Sequence, residues 1–307
     1  MEVERYVPVT SATLRWRRVA SLLVAASLAL AVDHVVARGD GEQGQRGRGD
    51  EAARPTPQAT APIDLTGYWV SVVTEDWRYR MVTPPKGDYA SVPLNAEGRK
   101  AADVWDPAKD EASGNQCKSY GAANIMRVPG RLHITWQNEN TLKIDADAGT
   151  QTRLLHFGDA PPPAGDAGWQ GYSQARWEIA GPPPRGGGGG GGLGGRGVIT
   201  VGGVVQTPQA DAAGGRGRGA PPRSGSLKVI TTHMRAGYLR KNGVPYSENA
   251  VVTEYFDRHT EANGDQWFTV TTIVDDPRYL DQPFITSTHF KKEPDAAKWH
   301  PTACTAS

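Results

Sequence analysis

The sequence contains no Gly-x-Ser-x-Gly elbow, no His-Glu-x-x-His pair and no Gly-x-x-x-x-Gly-Lys loop. It therefore lacks the local signatures of nucleophile-elbow hydrolases, helical zinc proteases and phosphate-loop enzymes. None of its seven histidines stands two places from another, so no His-x-His pair offers ligands from one strand face, and neither metal nor cofactor is expected. Charge of one sign is missing too: the formal net charge is +1, and without a basic face the chain has no electrostatic footprint for nucleic acid. Cysteine is scarce, with Cys117 and Cys304 alone.

What is present begins with an address. Arg15, Arg17 and Arg18 precede an uncharged, mostly apolar run from Val19 to Val32, with small-residue exits at Ala29-Leu30-Ala31 near its end and at Val35-Val36-Ala37 beyond it. Positive charge, a short apolar run and small residues in that order predict a signal peptide over residues 1–37. The run is short for a membrane span, and a retained N-terminal anchor is the alternative reading. The expectation is a periplasmic or secreted protein with no membrane span after processing. In such a compartment an even pair of cysteines reads as a disulfide, Cys117 to Cys304.

Two further stretches cannot build a core. Residues 38–62 are rich in Gly, Pro and charge, and predict a disordered leader. Residues 181–225 hold "PPPRGGGGGGGLGGRG" and "AAGGRGRGAPPRSG", whose composition does not offset the entropy of ordering. Within that insertion "VITVGGVVQT", Val198 to Thr207, has β-branched residues on both sides of Gly202-Gly203, the pattern of a small hairpin. The foldable remainder of residues 63–307 suits a single domain.

Its periodicity is mostly two. In "RLHITWQNEN" Leu132, Ile134 and Trp136 share one face, with His133, Thr135 and Gln137 on the other. "TLKIDADAGTQTRLLHF" reads as a hairpin around Asp147-Ala148-Gly149, and "SLKVITTHM", "NAVVTEYFDRH", "QWFTVTTIVDD" and "PFITSTHFKK" follow between turns such as Asn242-Gly243 and Asn263-Gly264-Asp265. One short helix is predicted from Ala96 to Trp105, capped by Asn95 and stopped at Pro107. The fold class is all-β: an antiparallel meander of about eight strands, closed into a barrel that removes its own edges.

Gly67-Tyr68-Trp69 opens the first strand-like run and resembles the Gly-x-Trp start of lipocalin-like barrels. That resemblance implies a tryptophan plugging one barrel end beneath a basic residue, for which Arg176, Lys291 and Lys292 are available. The ordered set "DLTGYW", "GWQGYSQARWE", "NGVPYSENAVVTEYF" and "VDDPRYL" resembles a family of exported bacterial β-rich proteins that carries no assigned reaction. In that family a tight turn joins two strands where this chain has its glycine-rich insertion, which implies an expanded hairpin tip.

The candidate chemistry is sparse. Glu254, between apolar neighbours, and Glu139, at a strand end, are candidate acid/base groups, and His233 and His289 are candidate partners. A solvated or ion-paired role is the alternative for each. Trp136, Tyr172, Tyr238 and Tyr246 are candidate ligand-binding residues, with Tyr238 and Tyr246 flanking the turn "LRKNGVP" as a rim. Two functions compete. One is a lipocalin-like binding protein holding a small apolar, aromatic or glycosidic molecule in a barrel cavity. The other is a barrel enzyme performing acid/base isomerisation, elimination or hydrolysis, which needs two polar groups converging on that cavity.

Overall fold

The computed structural model of the chain describes residues 55–162, 164, 165, 167–180 and 224–307. The signal peptide, the leader as far as residue 54, and the hairpin expected at Val198 to Thr207 lie outside the described residues.

The strands, in chain order, are β1 (Gly67–Val72), β2 (Arg131–Asn138), β3 (Thr141–Ala146), β4 (Gln151–Phe157), β5 (Tyr172–Ala180), β6 (Ser224–Thr232), β7 (Gly237–Arg240), β8 (Val244–Tyr246), β9 (Val251–Thr260), β10 (Gln266–Asp275) and β11 (Phe284–Glu293). Nine of them close a barrel in the order β1-β11-β10-β9-β6-β5-β4-β3-β2, while β7 and β8 form a separate hairpin. Closure is made by β1, which pairs with β11 on one side and β2 on the other. The turns expected around Asp147-Ala148-Gly149, Asn242-Gly243 and Asn263-Gly264-Asp265 all join consecutive strands.

One junction departs from the antiparallel meander. β4 and β5 pair in parallel, Leu155 opposite Ser173 and Phe157 opposite Ala175. A parallel neighbour cannot be reached by a tight turn, so the chain must run back along the barrel before β5 begins. β5 and β6 then pair antiparallel to their ends, Ala180 opposite Ser224. Residues 181–223 thus connect the two ends of a hairpin, and Ser224 and Gly225, placed in the insertion by composition, belong to β6.

The helical content also differs from the single helix expected. Asn95 caps a helix, α2, whose Gly98 amide donates to the Asn95 side chain at 2.9 Å, but α2 spans only Ala96–Asp103. Pro107 begins a further helix, α3 (Pro107–Ala112), capped by Asp106. Proline is suited to a first helical turn, where its missing N–H is not needed. A one-turn helix, α1 (Trp77–Arg80), follows β1.

Alternation sends Trp69, Leu132, Ile134, Leu142, Ile144, Leu155, Leu227, Val229, Phe256, Phe268, Val270 and Phe290 into the barrel, where they form one buried cluster. Trp69 is fully buried, donates its indole N–H to the Leu65 carbonyl at 2.8 Å and meets Phe268 edge-on at 4.7 Å. Lys292, its partner on β11, sets its ammonium 5.3 Å from the indole centroid. Gly67 has φ +111°, and a β-carbon there would stand 3.1 Å from Lys292 Cε. The backbone conformation is what favours glycine, while the lysine stem would have only to shift by a few tenths of an ångström. Residues 55–62 sit over the same end: Trp177 donates to the Pro57 carbonyl at 2.8 Å, and Trp177 packs with Phe157 and Trp136. A second cluster, including Leu94, Ala102, Leu239, Val244, Tyr246, Val274 and Phe284, gathers at the opposite strand ends. Cys117 and Cys304 form a disulfide across 187 positions, with their Cα atoms 5.1 Å apart.

Candidate functional site

The lumen holds the buried cluster described above. Its one strongly polar layer is made by Arg153 on β4, Glu254 on β9, Thr231 on β6 and Ser173 on β5, all essentially inaccessible. Arg153 donates to both Glu254 oxygens, at 3.1 and 2.6 Å, and to Thr231 Oγ1 at 3.3 Å. Ser173 and Thr231 share a hydroxyl contact of 2.7 Å. A two-pronged guanidinium–carboxylate pair uses both oxygens of the acid and leaves it poorly placed to exchange a proton with a ligand. Glu254, a candidate acid/base group, is thus held by an arginine inside the barrel.

The open space lies outside the wall. Because strand residues alternate, Arg153 and Leu155 point inward while Thr152, Leu154 and His156 point outward. Over those outward side chains passes the connection required by the parallel β4–β5 pair. Together they border an open pocket of about 400 Å3 that is also lined by Gln170, Tyr172, His233, Met234 and Glu248. Its firmest part is the stack of His156 on Tyr172, with ring centroids 5.1 Å apart and planes within 14°. Tyr172 is fixed by donating its hydroxyl proton to the Ala160 carbonyl at 2.7 Å. Burial lowers the His156 pKa below the usual imidazole value and so favours the neutral ring. His233 has a left-handed backbone, φ 56°, and its Nδ1 lies 2.8 Å from Thr232 Oγ1. Glu248 pairs with Arg278 at 3.0 Å.

Two of the candidates read from sequence, Tyr172 and His233, thus meet in one pocket. The others are dispersed. Glu139 is exposed in the turn after β2. His289 is on the outside of β11, with Nδ1 at 3.1 Å from Thr269 Oγ1 and Nε2 at 3.7 Å from Glu75. Trp136 packs against Phe157 and borders a different cleft, beside Pro62 and Ile63. Tyr238 donates to Asp110 at 2.7 Å, and both burial and that carboxylate raise its pKa. Tyr246 is no rim residue: it is fully buried in the second cluster, its hydroxyl has no hydrogen-bond partner and burial raises its pKa. The polar turn "LRKNGVP" points to solvent in sequence, yet Val244 and Tyr246 beside it carry the hairpin onto the core.

Sequence reasoning did not single out Arg153. The signal was available, since in "QTRLLHF" the arginine shares the inward face of Leu155 and Phe157. Among the described residues no group of three or more His, Cys, Asp or Glu is arranged to hold a metal ion. Comparison of the chain with protein-family models, with curated proteins and with solved structures found no match.

Proposed function

We propose that the chain is an exported binding protein, and that its ligand sits on the outer wall of the barrel, between β4 and the connection that follows it. The observation that carries this reading is the pocket of about 400 Å3 floored by the stacked His156–Tyr172 pair. A pocket of this size takes a small molecule. A neutral imidazole stacked on a phenol, beside Met234, favours a flat apolar, aromatic or glycosidic ligand. Export is supported by the pairing of the chain's two cysteines, because such disulfides persist in oxidising compartments. The acid/base enzyme is the weaker reading, because Glu254 is turned away from the pocket and fully engaged with Arg153.

Leu154 points into the pocket from a half-buried position, so Leu154→Trp should fill it while the lumen stays intact. Protein purified from the exported fraction should carry a small molecule detectable by native mass spectrometry, or bind p-nitrophenyl glucoside, which offers both a ring and a sugar face. Binding should be lost in Leu154→Trp and weakened about tenfold or more in Tyr172→Ala. Binding that survives Leu154→Trp unchanged would place the site elsewhere.

A further inference from the structure

At the opposite end of β1 three arginines converge from distant parts of the chain: Arg80 from α1, Arg127 from the turn before β2 and Arg240 from β7. All three are more than nine-tenths buried. With Tyr79, Asn124 and Lys241 they line a narrow cleft, about 20 Å3 in volume.

Arg80 is well used. It donates to Glu75, to Ser71 Oγ at 3.0 Å and to the Arg127 carbonyl at 2.9 Å. The other two are not. Arg127 reaches Asp76 through Nη2 at 2.9 Å, but its Nη1 has no partner. Arg240 gives one bond from Nη1 to the Ala90 carbonyl at 2.6 Å and stacks 4.1 Å from the Tyr79 centroid, while its Nε and Nη2 are left without partners. Three buried guanidinium nitrogens without an acceptor are an unusual expense in a folded protein. Charge is equally unbalanced. Arg80, Arg127, Arg240 and Lys241 bring four positive charges, and the carboxylates in contact with them are two, Glu75 and Asp76. The next acid, Asp88, is taken by Arg78 at 2.8 Å. Burial lowers the pKa of both Arg80 and Arg240, and repulsion from Arg127 adds to it.

We infer that this cleft is a binding site for a tetrahedral oxyanion, a phosphate or sulfate group, received by the free N–H groups of Arg127 and Arg240 with Lys241 at the mouth. Guanidinium forks match such oxygens in pairs and hold them by charge-assisted bonds. The cleft is narrow, and half-exposed Lys241 at its edge has its ammonium 3.3 Å from Thr305 Oγ1 and 5.2 Å from the Tyr120 centroid, contacts it would leave to meet an anion. The site is independent of the outer-wall pocket, since the two share no lining residue.

The test uses the processed chain at constant ionic strength, with chloride exchanged for inorganic phosphate, glycerol 3-phosphate or acetate. Calorimetric titration should show phosphate binding, and the melting temperature should climb with phosphate concentration, as for any ligand of the native state. Arg127→Gln and Arg240→Gln should each weaken phosphate binding about tenfold or more. Lys241→Ala should weaken it less, and this half-exposed position keeps the test open if the buried variants do not fold. Equal affinity for phosphate and glycerol 3-phosphate supports a free ion, and tighter binding of the ester supports the end of a larger molecule. The inference fails if chloride and phosphate act alike, if acetate binds more tightly than phosphate, or if the Lys241→Ala protein responds as the parent does.

Discussion

Arg153 in the lumen and Arg240 in the cleft beyond β1 are buried to the same degree, each 2 % exposed, yet they are treated in opposite ways. Arg153 meets a carboxylate that takes two of its donors, and a threonine hydroxyl accepts one more bond. Arg240 meets one backbone carbonyl and an aromatic face, and two of its nitrogens find nothing. The first arrangement pairs each charge with its opposite. The second is short of acceptors and short of negative charge. Burial alone therefore does not separate them, and neither does a single unmatched donor, since Arg153 Nε also lacks a partner; the difference is the carboxylate, which Arg153 has and Arg240 does not.

The sharpest way to break that contrast is to unpair the lumen. Glu254→Ala should remove about 3–5 kcal/mol of stability, because it strands the buried guanidinium of Arg153. The double replacement Arg153→Met with Glu254→Leu should recover most of the loss, since charge and counter-charge leave together. Urea denaturation of the two variants measures this. A double variant as unstable as the single one would mean that the layer of Ser173, Thr231, Arg153 and Glu254 depends on more than its central pair.

A smaller effect is expected on the other side of the comparison. Arg240→Met in chloride buffer should cost about 1–2 kcal/mol, the worth of one charge-assisted bond and a cation–aromatic contact that methionine only partly replaces. It leaves no carboxylate stranded, because none contacts Arg240. A loss as large as that of Glu254→Ala, read by the same denaturation, would show that Arg240 is structural in the way Arg153 is.

The smallest effect separates two tyrosines. Tyr238 donates to Asp110, whereas the Tyr246 hydroxyl has no partner. Tyr238→Phe should cost about 1 kcal/mol, and Tyr246→Phe should be neutral or slightly stabilising, because it removes a buried group that no bond compensates. Thermal unfolding of both variants decides the matter. Equal losses would mean that Tyr246 has an acceptor in solution.

Much of the frame was legible in the sequence because it is local. Alternation located the barrel strands and the turn residues located their hairpins, and of the three basic residues named for Trp69 it is Lys292 that lies over the indole. The two cysteines had only each other to pair with, and they did. What escaped was pairing at a distance. A period of two is the same for a parallel and an antiparallel neighbour, so nothing in "QTRLLHF" or "GYSQARWE" announced that β4 and β5 run together. The outer-wall pocket is a consequence of that junction, and of its residues only Tyr172 and His233 had been chosen from sequence. The arginine cleft was further out of reach. Residues 80, 127 and 240 belong to three unrelated local patterns, and only the closed barrel brings them to one end.

The order of strands around the barrel also divides it along the chain. β1 to β5 form one continuous arc and β6 with β9 to β11 form the other, the two meeting along β1–β11 and along β5–β6. The peptide link between the arcs is residues 181–223, and the cystine joins residue 117 of the first half to residue 304 of the second. A protease cut anywhere in that link would therefore produce two polypeptides that travel as one on a non-reducing gel and separate only with thiol. Each half would hold the other at the high local concentration of a tethered partner. The molecule is in effect a two-piece barrel written in one gene, with its covalent security placed where the peptide chain does not supply it.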